Sequence, residues 1–254
     1  AASALTGKIT DPRDIASLYD MEYPKFEDPE LHIINEDMLV APVEDGSKVA
    51  LKKGPNIKSL PHIEALQSDY EVPVLLKMQD NISTDEILKA GAEVLPFRSN
   101  LPEISKYSYT VIDETFYDRA MATKEKTGGH IVVAGDNYAQ GSSREHAALA
   151  PKYLGQVAVI AKSYARIAWQ NLVNFGILPL EFENPDDLDK IEQGDTVMLK
   201  NLRQLVEQRE TIEVLIKKET GEVAIPTKHS LSDRQIRVLL KGGIINDFKE
   251  KLSA

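Results

Sequence analysis

A strand, a loop that contains glycine and a helix start follow one another within residues 128–151, and this order constrains the fold more than any other part of the chain. His130–Ala134 is largely apolar and partly β-branched, which predicts a buried strand. Ser142 is followed three residues later by Glu145, a capping-box pattern typical of a first helical turn, and Pro151 marks the end of the predicted helix. This succession is typical of an α/β protein.

The predicted first turn carries two hydroxyls and a guanidinium, on Ser142, Ser143 and Arg144. Backbone N–H groups at a helix start are unpaired and attract anions. An arginine can also hold a carboxylate through two parallel hydrogen bonds. A capping role alone would explain Ser142 and Glu145 as purely structural. Because a cap needs only one hydroxyl, the second serine, the arginine and the adjacent Gly141 favour an anion-binding site.

Strand and helix patterns continue from Val72 to the end of the chain. Alternating or continuous apolar residues predict strands at residues 72–78, 107–112, 156–161, 177–182 and 212–216. A turn around Gly221 leads back through Val223 and Ile225, which indicates a hairpin. Helical spacing predicts one helix at residues 165–173, closed by Gly176, and a last helix capped by Ser232 with Gln235 and ended at residues 242–243. The fold class is therefore α/β with strands in both directions.

The first 70 residues differ in composition from the rest of the chain, because they contain six prolines and show little sustained hydrophobic periodicity. These prolines are Pro12, Pro24, Pro29, Pro42, Pro55 and Pro61. We expect residues 1–70 to be an extended, proline-rich linker that lies along another body, with a short helix at residues 14–19 and a small strand at residues 49–51. Residues 71–254 then form the folded domain.

Composition excludes several classes of function. The chain has 254 residues, and 40 acidic against 30 basic residues give a net charge of -10, which disfavours nucleic-acid binding. No apolar run approaches the roughly 18 to 20 residues that a membrane-spanning helix needs. There is no cysteine, so the chain offers no thiol nucleophile and no thiolate ligand for zinc or an iron–sulfur cluster. The five histidines have no ligand spacing and are interpreted as structural.

A second polar constellation follows the strand predicted at residues 72–78. Asp85 lies in an Asp-Asn-Ile-Ser-Thr-Asp-Glu-Ile stretch, and Arg98 follows in Phe-Arg-Ser-Asn. Asp85 could simply cap a helix, and Arg98 could be a solvated loop residue. An enzyme for a multiply charged acid, however, needs several arginines from different loops, and Arg98 with Arg144 would meet that need.

Five stretches together resemble the carboxyl-terminal swivel domain of the aconitase family. They are residues 83–87, 97–100, 135–138, 141–149 and 162–167, in the family's order, and the Gly-Ser-Ser-Arg-Glu-His run within 141–149 is the most specific. The opening Ala-Ser-Ala-Leu-Thr-Gly also resembles the segment that follows the large three-domain portion of those enzymes. The resemblance implies a swivelling β/β/α domain with a mixed sheet, preceded by the linker.

The same resemblance implies roles for individual residues. Ser142 falls on the serine base that removes a proton beside a substrate carboxylate, and Ser143 and Arg144 fall on substrate-binding positions. Arg98 corresponds to a further carboxylate-binding arginine, and Asp85 to an aspartate of the active-site network. The interval between Asp85 and Arg98 is one residue longer than in the family's mitochondrial-type pattern, so the match is weaker at Arg98 than at Ser142.

At the level of the whole enzyme, the resemblance implies an aconitate hydratase that interconverts citrate and isocitrate through cis-aconitate. A [4Fe–4S] cluster would be bound by cysteines on a large amino-terminal portion, outside this chain, which would be inactive alone. The expected compartment is the cytoplasm, or the mitochondrial matrix in a eukaryote.

Two alternatives remain open. The chain could be the small subunit of an isopropylmalate isomerase or homoaconitase, which carries a similar serine-arginine turn; the long linker and the charged loop at Arg98 speak against this. It could also be a non-catalytic anion- or RNA-binding module, although its net charge disfavours RNA.

Overall fold

The computed structural model describes residues 1–31, 34–218 and 221–253. Backbone contacts divide the chain into two compact units, residues 1–51 and residues 52–254. The first unit contains two short helices, α1 (Ala2–Thr6) and α2 (Ile15–Tyr19). The α2 helix confirms the prediction at residues 14–19. The strand predicted at residues 49–51 is wrong, because this stretch is exposed and pairs with no described strand.

One closed sheet organises the second unit. Its described strands are β1 (Tyr70–Lys77), β2 (His130–Ala134), β3 (Gln156–Ala161), β4 (Leu178–Phe182), β5 (Thr196–Leu199), β6 (Ile212–Lys218) and β7 (Gly221–Lys228). Strands β1 to β4 are parallel neighbours, and antiparallel pairs run from β4 through β7, β6 and β5 back to β1. The predicted α/β fold with a mixed sheet is confirmed. So is the β6–β7 pairing, although residues 219–220 of its turn lie outside the described residues.

Helices pack around this sheet. They are α3 (Thr84–Ile87), α4 (Leu101–Ile104), α5 (Phe116–Thr127), α6 (His146–Tyr153), α7 (Arg166–Asn174), α8 (Leu202–Gln208), α9 (Asp233–Leu240) and α10 (Ile244–Ser253). The helices α7 and α9 confirm the predictions, and α9 has the predicted Ser232–Gln235 capping box. It is not the last helix, because the glycines at residues 242–243 turn the chain directly into α10. Pro151 lies inside α6, which continues to Tyr153.

Alternate residues of the parallel strands face two hydrophobic cores. In β2, Ile131 and Val133 belong to a core built mainly from the sheet strands, α8 and α9. Their neighbours Val132 and Ala134 belong to a second core that includes residues of α3 to α6. Both faces of this strand are therefore buried, which explains its continuous apolar run.

No strand forms at residues 107–112, so that prediction is wrong. The segment contains a short 3-10 turn and then Tyr109, whose φ of 56° is incompatible with a strand. Tyr109 is fully buried, and its hydroxyl is 2.7 Å from the hydroxyl of Tyr138 and donates to Gln156 Oε1 at 3.0 Å. Tyr109 is thus a core residue that lies in a turn, and Tyr107 is partly buried against the same core.

Candidate active site

The loops that follow β1, β2 and β3 meet at one end of the closed sheet, because the carboxyl ends of parallel strands lie together. Asp80 Oδ1 accepts a hydrogen bond from the backbone N–H of Asp136 at 2.8 Å. Ser163 Oγ donates to Asp136 Oδ1 at 2.9 Å. A Cβ at Gly135 would lie 1.8 Å from Asp80 Oδ1, so only glycine permits this close approach. Hydrogen bonds therefore join the three loops into one structural unit, here called the loop platform.

The segment 141–145 emerges from this platform and is not helical. The α6 helix begins at His146 with Glu145 as its N-cap, and Ser142 forms no capping hydrogen bond, so the predicted Ser142–Glu145 capping box is wrong. The physical reason is a competing contact with the β1 loop. The backbone N–H of Ser142 donates to Thr84 Oγ1 at 3.2 Å, and Gln140 pairs through its backbone with the same loop. These contacts hold Ser142 outside the first turn.

The segment nevertheless keeps the properties of an anion site. Ser142 and Ser143 are exposed. Within the described ranges, neither serine hydroxyl and none of the backbone N–H groups of residues 143–146 has a hydrogen-bond partner. Gly141 has a φ of 104°, a conformation that favours glycine and bends the chain toward α6. Unpaired amides before and at a helix start form a favourable environment for a negative charge.

Arg144 is held from two sides. Its Nη1 donates to the Leu88 carbonyl at 2.6 Å, and its Nη2 donates to Asp85 Oδ1 at 2.5 Å. The Arg144 side chain is 16% exposed, whereas that of Asp85 is 66% exposed. This ion pair is therefore well solvated on the acidic side and contributes little to stability. Its main effect is to fix the orientation of the guanidinium, and it brings together two of the predicted site residues.

The position of Asp85 follows from the capping of α3. Ser83 is the N-cap of this helix and forms a capping box with Glu86: its Oγ accepts from the Glu86 N–H at 3.3 Å, and Glu86 Oε2 accepts from the Ser83 N–H at 2.7 Å. Capping is thus carried out by Ser83, not by Asp85. The Asp85 carboxylate is free to reach Arg144 across the gap between the loops.

Arg98 and Ser142 line different clefts that both include Arg144. Arg98, Arg144 and His146 line one small cleft, while Ser142, Arg144 and Thr84 line another, so Arg144 is common to both. The Arg98 carbonyl is 2.8 Å from His146 Nε2, which ties the Arg98 loop to the start of α6. The Arg98 side chain makes no ion pair within the described residues and is exposed.

Sequence reasoning missed two residues of this arrangement. Thr84 is 4% exposed and accepts the Ser142 N–H, and His146 contacts the Arg98 loop. Both residues lie in stretches that resemble the family. The residue type of Thr84 and its neighbours do not indicate a contact with Ser142, so the sequence alone did not identify it. The signal for His146 was its place at the end of the Gly-Ser-Ser-Arg-Glu-His run.

Comparison with known proteins shows which family the chain is similar to. The aconitase C-terminal domain family matches residues 74–185. A mitochondrial aconitate hydratase of Gracilaria gracilis is 35% identical over 84% of this chain and 30% of its own length. A mitochondrial homocitrate dehydratase of Saccharomyces cerevisiae is 35% identical over 79% of this chain and 28% of its own length. A solved 3-isopropylmalate dehydratase from Methanocaldococcus jannaschii superposes with a TM-score of 0.55 at 29% identity, covering 72% of this chain and 95% of that one.

The fold is that of the aconitase-type swivel domain, and the chain belongs to the aconitase superfamily. It spans about 30% of the length of the aconitate hydratases that it matches. Among the described residues, no helix combines the length and apolar character needed to cross a membrane.

Proposed function

We propose that this chain is the carboxyl-terminal part of an aconitate hydratase, a hydro-lyase that isomerises citrate to isocitrate through cis-aconitate, and that it supplies the serine base and part of the substrate clamp. The observation that carries the proposal is the contact of the Ser142–Arg144 segment with the loop after β1, where Thr84 accepts from the Ser142 N–H and Asp85 accepts from Arg144. The similarity to mitochondrial aconitate hydratases supports the same reaction. The proposed compartment is the mitochondrial matrix in a eukaryote and otherwise the cytoplasm.

Ser142 is the proposed base. A serine hydroxyl is too weak an acid to be ionised in water near neutral pH, so the alkoxide must be stabilised by nearby positive charge and N–H donors. Arg144 provides the charge, and the amides of residues 143–146 provide the donors. Proton removal beside a carboxylate places negative charge on that carboxylate, and in this proposal Arg144 and the Ser143 hydroxyl bind it.

The rest of the reaction needs groups that this chain does not have. It contains no cysteine, and no group of three or more potential metal ligands occurs among the described residues. Its donor set therefore does not fit a thiolate-bound [4Fe–4S] cluster, and we assign the cluster ligands to a large amino-terminal portion of the enzyme. That portion is the proposed partner, together with the tricarboxylic acid substrate.

The test is replacement of the base in the whole enzyme that contains this chain. Ser142→Ala should lower kcat with citrate by about 10² to 10⁴-fold, the usual contribution of a positioned general base. Ser68→Ala is a matched control, since Ser68 is exposed and, among the described residues, only its backbone carbonyl forms a hydrogen bond. An unchanged kcat in Ser142→Ala would refute the assignment of the base.

A second candidate is an isopropylmalate or homocitrate dehydratase, favoured by the solved 3-isopropylmalate dehydratase and the yeast relative. The exposed Arg98 beside the site favours a substrate with a third carboxylate over one with an isopropyl group. Comparison of kcat/KM for citrate, homocitrate and isopropylmalate in the whole enzyme distinguishes the candidates. We expect citrate to be preferred, and a preference for isopropylmalate would establish the second candidate.

A further inference from the structure

The buried side chain of Thr84 contacts the backbone of Ser142. Only 4% of Thr84 is exposed, and its Oγ1 accepts the Ser142 N–H at 3.2 Å. The Thr84 N–H in turn donates to the Gln140 carbonyl at 2.9 Å. Thr84 therefore contacts the residues on both sides of Gly141, Gln140 and Ser142.

Thr84 is itself fixed by α3. It is the first residue of that helix, next to the Ser83 cap, and its carbonyl accepts the Leu88 N–H at 3.0 Å. The Leu88 carbonyl then accepts from Arg144 Nη1 at 2.6 Å. One short helix thus holds the Ser142 backbone through Thr84 and the Arg144 guanidinium through Leu88.

The Thr84 hydroxyl is the only acceptor that the Ser142 N–H has in the described part of the chain. Thr84, Ser142 and Arg144 also line the same narrow cleft, so a shift of Ser142 would occur inside the proposed reaction site. Proton transfer requires heavy atoms within about 3 Å, and a displacement of about 1 Å can cost on the order of 100-fold in rate.

We propose that Thr84 is a positioning residue that holds the Ser142 backbone so that the Ser142 hydroxyl is oriented for proton removal. This inference rests on the proposed function for its kinetic consequence, but the contact itself can be tested without turnover. Thr84 is not required to touch the substrate, and its side chain acts through the Ser142 N–H.

The kinetic test uses three variants of the whole enzyme. Thr84→Val keeps the shape and loses the hydroxyl. Thr84→Ser and Thr84→Ala both lose the methyl group and differ only in the hydroxyl, so their comparison holds even if the valine variant folds poorly. We expect the Val and Ala variants to lose about 10- to 100-fold in kcat with KM for citrate changed less than about twofold, and the Ser variant to retain most of kcat.

Hydrogen exchange tests the contact directly. Mass spectrometry of the peptide that contains Ser142 should show faster amide exchange in Thr84→Val and Thr84→Ala than in Thr84→Ser and the native enzyme. Equal exchange in all four proteins would overturn the inference. So would a native kcat in the Val and Ala variants when Ser142→Ala is inactive. A native kcat in Ser142→Ala would instead refute the proposed base and leave the exchange result to decide whether Thr84 holds Ser142.

Discussion

His130 is a buried titratable residue that the proposed reaction does not use. It lies fully buried in β2, packs edge-on against Phe116 with ring centroids 5.5 Å apart, and neither ring nitrogen has a hydrogen-bond partner among the described residues. Burial, followed by the charges of Arg119 and Lys124, lowers the pKa of His130 to about 3. The imidazole is therefore neutral in the folded chain across the physiological range, in agreement with its interpretation as structural.

This residue makes the fold sensitive to acid. In the unfolded chain the imidazole takes up a proton below a pKa of about 6.5, whereas the folded chain resists protonation down to about 3. The unfolded state therefore binds more protons, and the free energy of unfolding should fall as the pH is lowered from about 6.5 toward 3. His130→Leu should reduce the loss of stability between pH 7 and pH 5.

Urea unfolding of the chain at these two pH values measures the effect. His62→Gln is the control, because the His62 side chain is 69% exposed and should leave the pH dependence as in the native chain. An identical loss of stability in the native chain and in His130→Leu would contradict the prediction.

At the scale of elements, not every capping box predicted from the sequence is present in the structure. Ser83 and Ser232 form capping boxes, at α3 and α9, and Ser142 forms none. We therefore expect Ser232→Ala to cost about 1 kcal/mol of unfolding free energy, and Ser83→Ala a similar amount. Ser142→Ala should change it by less than about 0.5 kcal/mol.

Equilibrium urea unfolding of the three variants measures these differences, with Ser68→Ala as an exposed control. If Ser142→Ala were as destabilising as Ser232→Ala, the prediction would be wrong, because the Ser142 hydroxyl forms no capping hydrogen bond in the structure. A small effect would mean that any loss of turnover in Ser142→Ala reflects chemistry and not folding.

The elements that the sequence predicts well have strong local signals. The strands β2 and β3 are continuous apolar runs, and α7 and α9 combine helical spacing with glycine or capping residues at their ends. The helix α5 has weak amphipathic character and was not predicted. The start of α6 was placed three residues too early because the Ser-x-x-Glu pattern is local, whereas the contact that replaces it joins Ser142 to Thr84, 58 residues earlier.

The candidate site shows the same limit. The chemistry of Ser142, Ser143, Arg144, Arg98 and Asp85 was predicted from residue types and from the family resemblance. Their functional roles remain predictions, while the Arg144–Asp85 ion pair is present in the structure. Thr84 could not be predicted, since its importance depends on a long-range contact between loops.

At the scale of the whole molecule, the chain contains only part of the active-site residues that the proposed reaction needs. It has the serines and the arginine that we propose to deprotonate and bind a carboxylic acid, but no cysteine for a cluster. It also spans about 30% of the length of its aconitate hydratase relatives. Residues 1–51 expose many large apolar side chains, among them Ile9, Phe26 and Val40. Large exposed apolar patches are typical of interaction surfaces, and the linker role of residues 1–70 stays a prediction.

These properties predict that the chain alone is folded and inactive, and that activity returns when the amino-terminal portion is supplied. The extensive core of residues 52–254 should give a cooperative thermal transition, which excludes unfolding as the cause of inactivity. No conversion of citrate to cis-aconitate should be seen by ultraviolet absorbance with the chain alone. Addition of the cluster-loaded amino-terminal portion should restore turnover, and the same mixture with Ser142→Ala should stay inactive. Turnover by the isolated, cluster-free chain would show that the assignment of the missing half of the site is wrong.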